Sequence, residues 1–245
     1  MNSFQNTTEI MKNSFILYKF ATRSRPEKFF RGLDNIISRS SDKENFAILV
    51  SADMDDSSMF NADVRKRLIP YIESEKVFIY WGSSVSKIDA INRDLGNIDS
   101  MPKLKDFDIL VNFSDDMEFI IDGFDNIIRQ KFSLLYPDTD GNLHFNDGFA
   151  QERVCTMSII GRKYFKRFNY IYHPSYISLW CDNEYTEVAK YLNKITYFPE
   201  QIFRHNHPAN VPNMERDEQL LRTESFYTID GNTYHQRKLK HFYIF

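Results

Sequence analysis

Carboxylates cluster where the apolar runs of this chain end. The run Phe46 to Val50 leads into Ser51-Ala52-Asp53-Met54-Asp55-Asp56, and Phe107 to Phe113 leads into Ser114-Asp115-Asp116-Met117. Two adjacent carboxylates directly after a buried run are costly to place without a partner. A divalent metal bridging to substrate phosphates would satisfy them, because Mg²⁺ is held by one or two carboxylates in this way. The acids around Asp53 could bind a base, a ribose or a metal, or simply be solvated. Arg23 and Arg25 stand just before Pro26, ahead of a helix start, where they could hold a phosphate or a base edge. Lys87 and Asn92 follow a third apolar run and could face a diphosphate. Asp182 and Glu184 sit at another helix start, where Asp182 could be a cap or a general base. His205 and His207 are strand neighbours at i and i+2, so both imidazoles would face one side and one could ligate a metal.

The elements that must position these groups are legible from spacing. Four apolar runs begin at Phe15, Phe46, Val77 and Phe107, a repeat of 30–31 residues. Short runs rich in Ile, Val, Phe and Tyr read as buried strands. A period of about 30 residues is the length of a βαβ unit, so residues 14–113 are expected to form a parallel sheet. Between the runs, Phe29, Phe30, Leu33, Ile36 and Ile37 share a helical face after Pro26. Val64, Leu68 and Ile72 mark a second helix that Pro70 should bend or end. Ser86 to Leu95 is a third, stopping at Gly96. In the second half, the turn Asp138 to Asn142 is expected to join strands Phe132–Tyr136 and Leu143–Phe145. Glu184 to Leu192 reads as a helix, and 199–216, with Pro199, Pro208 and Pro212, as an irregular segment.

Composition narrows the class. The chain has 245 residues, 42% hydrophobic and 27% charged, with a net charge of −3. That is a globular composition with no basic field to draw it onto nucleic acid. The basic tail of Arg237, Lys238 and Lys240 reads as solvated. There is no GxGxxG and no GxxxxGK pattern, so dinucleotide and P-loop readings fail. Cys155 and Cys181 form no zinc motif. The start MNSFQNTTEI does not read as a signal peptide, and no run approaches a membrane span. A cytoplasmic protein with free thiols is expected, which makes the glycosylation patterns at Asn6 and Asn112 chance matches.

Together these residues resemble the GT-A, family-2-like glycosyltransferases, over about residues 14–210. The family's TRxRPE-like segment appears as Thr22-Arg23-Ser24-Arg25-Pro26-Glu27, and its base-binding acid as Asp53. Its K-x-x-A-x-N helix appears as Lys87 to Asn92. Its DxD motif falls on Phe113-Ser114-Asp115-Asp116, with Phe113 in place of the first aspartate. The resemblance implies one α/β domain, 1–245, with a mostly parallel central sheet flanked by helices and a small mixed C-terminal extension. Residues 14–116 would be the nucleotide-sugar-binding half, 117–210 the acceptor-side half and 211–245 the extension. It further implies that Thr22, Arg23, Arg25, Asp53, Lys87, Asn92, Asp115 and Asp116 bind the donor. Asp115 with His205 or His207 would hold Mn²⁺ or Mg²⁺. Asp182, with Glu184 second, would be the base, and Trp180 and Tyr176 would lie on the acceptor side. The implied reaction is a metal-dependent, inverting transfer from a nucleotide sugar to a hydroxyl of a glycan or other acceptor; nucleic acid would enter only as a modified acceptor. Two other readings compete with it. A sugar-phosphate nucleotidyltransferase usually carries a GxGxR loop after the first strand, which is missing. A catalytically degenerate binding module finds support in Phe113.

Overall fold

A computed structural model describes residues 14–207 and 216–244. The start of the chain with the Asn6 pattern, and Pro208 and Pro212, lie outside the described residues. The four apolar runs are strands: β1 (Ile16–Thr22), β2 (Phe46–Asp53), β3 (Val77–Gly82) and β4 (Ile109–Phe113). All pair in parallel, in the order β3-β2-β1-β4. Strands β1, β2 and β4 are apolar nearly throughout because helices cover both sheet faces. On one face Ile16, Tyr18 and Phe20 meet Phe29, Phe30, Leu33 and Ile36 of α1 (Pro26–Arg39). On the other, Leu17, Ala47 and Leu49 meet Ile88 and Ile91 of α3 (Lys87–Asn92). The helix between them, α2 (Ala62–Glu73), runs on through Pro70. Helix α3 begins at the Ser86 cap, whose hydroxyl accepts the Asp89 N–H at 3.0 Å, but ends at Asn92 rather than at Leu95.

The sheet continues through β7 (Ile159–Gly161), β6 (Asn142–Phe145) and β8 (Ile195–Phe198), giving seven strands in the order β3-β2-β1-β4-β7-β6-β8. It is mixed, since β7 runs antiparallel to both neighbours. The expected strand at Phe132–Tyr136 is instead the end of a helix, α4 (Phe124–Leu135). Phe124, Ile128 and Phe132 recur every four residues and are all buried, so the helical period wins over local strand propensity. The turn at 138–142 therefore joins a helix to a strand. Its partner position needs glycine: a Cβ on Gly161 would stand 2.0 Å from the Thr139 carbonyl oxygen.

The segment after Pro199 is not wholly irregular. Phe203–His205 forms β9, which pairs antiparallel with β5 (Met117–Phe119). In that register Met117 lies opposite His205. A 90-residue loop-back in sequence thus becomes direct adjacency between the HxH segment and the Asp115-Asp116 pair. The remaining helices are α5 (Arg162–Phe165), α6 (Cys181–Tyr191), α7 (Glu218–Glu224) and α8 (Tyr227–Leu239). Helix α6 starts three residues before the expected Glu184. No described helix is long and apolar enough to cross a membrane.

Candidate active site

The strand order reverses between β1 and β4, and ligand sites in open α/β sheets lie at the carboxyl ends beside such a switch. A cleft opens there. Phe20 pairs with Phe113, so Asp115 emerges about level with Thr22 at the end of β1. Thr22, Arg23 and Arg25 line one wall, with Asp53 at the end of β2. Lys87 contributes from the start of α3, and Asp115 and Asp116 from the turn after β4. The structure thus gathers seven of the eight expected donor-binding residues. Gln219, Arg222 and Thr223 of α7 and the following Phe226 close the cleft from the C-terminal side.

Asp53 is a neutralised, buried carboxylate. Its Oδ2 accepts from Arg23 Nη1 at 3.0 Å, and its Oδ1 from Arg93 Nη1 at 2.8 Å and Ser84 Oγ at 2.7 Å. Arg93 is fixed in turn by the carbonyls of Ala52 and Tyr80, at 3.0 and 3.2 Å. Beneath it Lys19 is fully buried and donates to Ser51, which bonds Asp94. Burial pushes the Lys19 ammonium down to about 7. Across the cleft, Arg25 bridges Asp115, at 3.0 Å, and Asp217, at 2.6 Å, the cap of α7.

The two acids after β4 differ. Burial, and then the charge of Asp116, push the Asp115 carboxyl up to about 6. Burial would also raise Asp116, but the His205 imidazole, 3.3 Å away, overrides it and holds that carboxyl below the usual range. His205 Nδ1 lies 4.0 Å from Asp147, a buried acid whose Oδ1 accepts the N–H groups of Phe149 and Ala150. The His207 ring stands 5.7 Å from that of His205. Among the described residues no three His, Cys, Asp or Glu side chains are gathered as a metal centre. The expected set of Asp115, His205 and His207 is therefore not assembled: Asp115 is turned to Arg25, while Asp116, rather than Asp115, faces His205. Phe113 does not enter the cleft. It is buried against Phe20 and Phe119, both with ring centroids at 5.4 Å.

Asp182 sits in the first turn of α6, with its carboxyl raised by burial and with Lys87 and His205 as counter-charges. Glu184, the expected second base, points elsewhere. Two residues on a helix differ by about 200°, so both cannot face one site. Glu184 is paired with Arg237 at 2.7 and 2.8 Å and accepts from the Tyr176 hydroxyl at 2.7 Å. It lines a separate aromatic hollow with Tyr164, Tyr170 and Phe242. Tyr176, expected on the acceptor side, is 1% exposed and committed to Glu184. Trp180 has a left-handed backbone, φ 62°, and packs on Tyr227 and Tyr234. Asn92 does not line the cleft: its amide bonds Ile171 N–H at 3.0 Å and the Tyr172 carbonyl at 2.7 Å, clamping a loop. The basic tail is not simply solvated, since Arg237 holds Glu184 and Lys238 holds Glu187 at 2.6 Å.

Sequence reading missed Arg93, Ser84, Asp147, Arg222 and Asp217. Asp217 carried a signal, an Asp ahead of a helical pattern. The others acquire meaning only from partners distant in sequence.

Comparison with solved structures then places the architecture. A mannosyltransferase from Pyrobaculum calidifontis, solved with GDP-Man and Mn²⁺, is 11% identical, with a TM-score of 0.59 over 83% of this chain and 63% of its own. The fold is GT-A-like. TarS of S. aureus, residues 1–349, is 14% identical at a TM-score of 0.58, covering 89% of this chain and 74% of TarS. GalNAc-T7, solved with UDP, GalNAc and Mn²⁺, is 11% identical at 0.61, covering 86% and 48%. The chain thus spans less than two thirds of the mannosyltransferase and of GalNAc-T7. No family model matches the chain, and no curated protein matches it.

Proposed function

We propose that this chain is a glycosyltransferase that moves a sugar from a nucleotide-sugar donor to an acceptor hydroxyl. The observation that carries the reading is the cleft at the β1–β4 switch, which is lined by a half-buried pair of acids, Asp115 and Asp116, and by two exposed cations, Lys87 and Arg222. Proteins of similar fold bind GDP-Man with Mn²⁺ or UDP-GlcNAc, which supports a nucleotide-sugar ligand. Thr22 and Arg23 line the nucleoside end. Asp53 acts by holding Arg23 in place, since its own oxygens are already occupied. Lys87 and Arg222 offset the charge of the diphosphate.

A divalent metal finds part of a donor set here: Asp116 and His205 face each other at 3.3 Å, while Asp115 is held by Arg25 and would have to leave that pair to join them. A carboxylate with an imidazole suits Mn²⁺ better than Mg²⁺, which prefers oxygen ligands. Asp116 and His205 would hold the ion, with Asp115 added once released from Arg25, and the ion would stabilise charge on the departing diphosphate. Asp182, its basicity increased by burial, takes the proton of the attacking acceptor hydroxyl. The product configuration is then inverted in a single displacement.

Thermal shift with UDP, GDP, CMP and dTDP, each with and without Mn²⁺, tests the reading. A nucleotide at 100 times its Kd should raise Tm by roughly 5–10 °C in a chain of this size. Asp182→Asn should keep that shift while transfer falls by about 10²–10⁴. If no nucleotide shifts Tm and no nucleotide sugar is turned over, the proposal fails.

A further inference from the structure

Two hydroxyls at the wall of the cleft are buried without a hydrogen-bond partner: Thr22 Oγ1 and Ser178 Oγ. The two residues are 5% and 4% exposed. Buried polar groups are almost always paired, so each exception calls for a cause. Thr22 belongs to the nucleoside end already described. Ser178 belongs to another segment of the wall, four residues before Asp182.

The backbone that carries Ser178 is fixed from behind. Asp230 of α8 is fully buried, and its carboxylate accepts three consecutive amides: Ile177 N–H at 2.9 Å, Ser178 N–H at 2.8 Å and Leu179 N–H at 2.8 Å. The Ile177 carbonyl accepts the Ile88 N–H at 3.2 Å, next to Lys87. Gly231, beside Asp230, leaves room for the Trp180 indole, which a Cβ there would meet at 3.2 Å. Charge-assisted bonds to consecutive amides hold a short loop firmly. The loop is therefore set in place by the protein, yet its hydroxyl is left for something in the cleft. Rigid support behind a first contact is how binding sites keep their geometry.

We infer that Ser178 contacts the donor, hydrogen-bonding a hydroxyl of the transferred sugar, and that Asp230 is a positioning residue acting through it. This rests on the glycosyltransferase reading. The sugar end is assigned because Ser178 lines the cleft on the loop that leads to Asp182, the proposed base, whereas Thr22, Arg23 and Asp53 are assigned to the nucleoside end.

Calorimetric titration with UDP, UDP-GlcNAc, UDP-glucose, GDP and GDP-mannose, each with Mn²⁺, separates the cases. Ser178→Ala should weaken nucleotide-sugar binding by about 3–10-fold, the value of one neutral hydrogen bond, and leave nucleoside diphosphate binding unchanged. Its Tm without ligand should hold or rise, because an unmet hydroxyl is gone. Asp230→Asn should raise KM for the nucleotide sugar while sparing diphosphate affinity; should it not fold, Ser178→Ala decides alone. Equal binding of nucleotide sugars by wild type and Ser178→Ala, or equal weakening of both ligand classes, overturns the assignment and leaves the glycosyltransferase reading intact. If wild type binds none of these ligands, nor CMP, dTDP or their sugars, both fail.

Discussion

Arg129 shows how individual charges are managed outside the cleft. Its side chain is 1% exposed, and each edge of the guanidinium is met: Asp125 at 2.6 Å, the Ser14 carbonyl at 2.8 Å and the Asn45 carbonyl at 2.9 Å. Asp125 in turn accepts the N–H groups of Ser41 and Asp42. Removing one member of such a pair strands the other, so Arg129→Ala should cost about 3–5 kcal/mol. Urea denaturation measures it, and removing Asp125 as well should cost less than the sum of the two single changes. A loss under about 1 kcal/mol would mean that water reaches Asp125. Residues in the cleft follow the same logic. Asp53 and Asp115 were legible because each follows a strand. That Asp53 would already be answered by Arg93, 40 residues on, was not.

At the scale of elements, Asp217 does two jobs. It caps α7, accepting the Leu220 N–H at 2.9 Å, and it holds Arg25. The hydrogen bond from Arg25 keeps its carboxyl at about 2, below the ordinary 3.8. A depressed carboxyl contributes stability above its unfolded value and loses it as pH falls through the folded one. Asp217→Asn keeps the cap, because Asn serves there as well as Asp, and should therefore lower stability by up to about 1 kcal/mol at neutral pH, the value of a partly screened ion pair. The gap to wild type should close between pH 4 and about 2, which a pH series of melting curves would show. A full gap that persists at pH 2 would show that the effect does not come from the carboxylate charge. The same scale explains the one misread element. Phe132 to Tyr136 looks like a strand in isolation, but Phe124 and Ile128 continue its spacing backwards into a helix.

For the whole molecule, one sheet carries strands from both ends of the chain, with β4 joining the parallel half to β7, β6 and β8. Unfolding should then be a single transition. The two tryptophans allow a direct check, since Trp81 lies in β3 at one sheet edge and Trp180 beside α8. Trp81→Phe and Trp180→Phe each leave one reporter, and both fluorescence midpoints should match that from circular dichroism once each variant's own stability is allowed for. Two separated midpoints within one variant would divide the chain into independent units.

The sequence alone determined the parallel sheet, its 30-residue repeat and the acids at its carboxyl edge, because hydrophobic period and strand length are local properties. It also supplied the helix starts at Pro26 and Ser86. Only the tertiary structure decided which acids act together. The β5–β9 pairing brings His205 to Asp116, the turn of α6 carries Glu184 away from Asp182, and the C-terminal helices bring Arg222 to the cleft and Asp230 to the Ser178 loop. Such contacts depend on through-space distance and on which charges are left unanswered after burial, and neither is written in residue spacing.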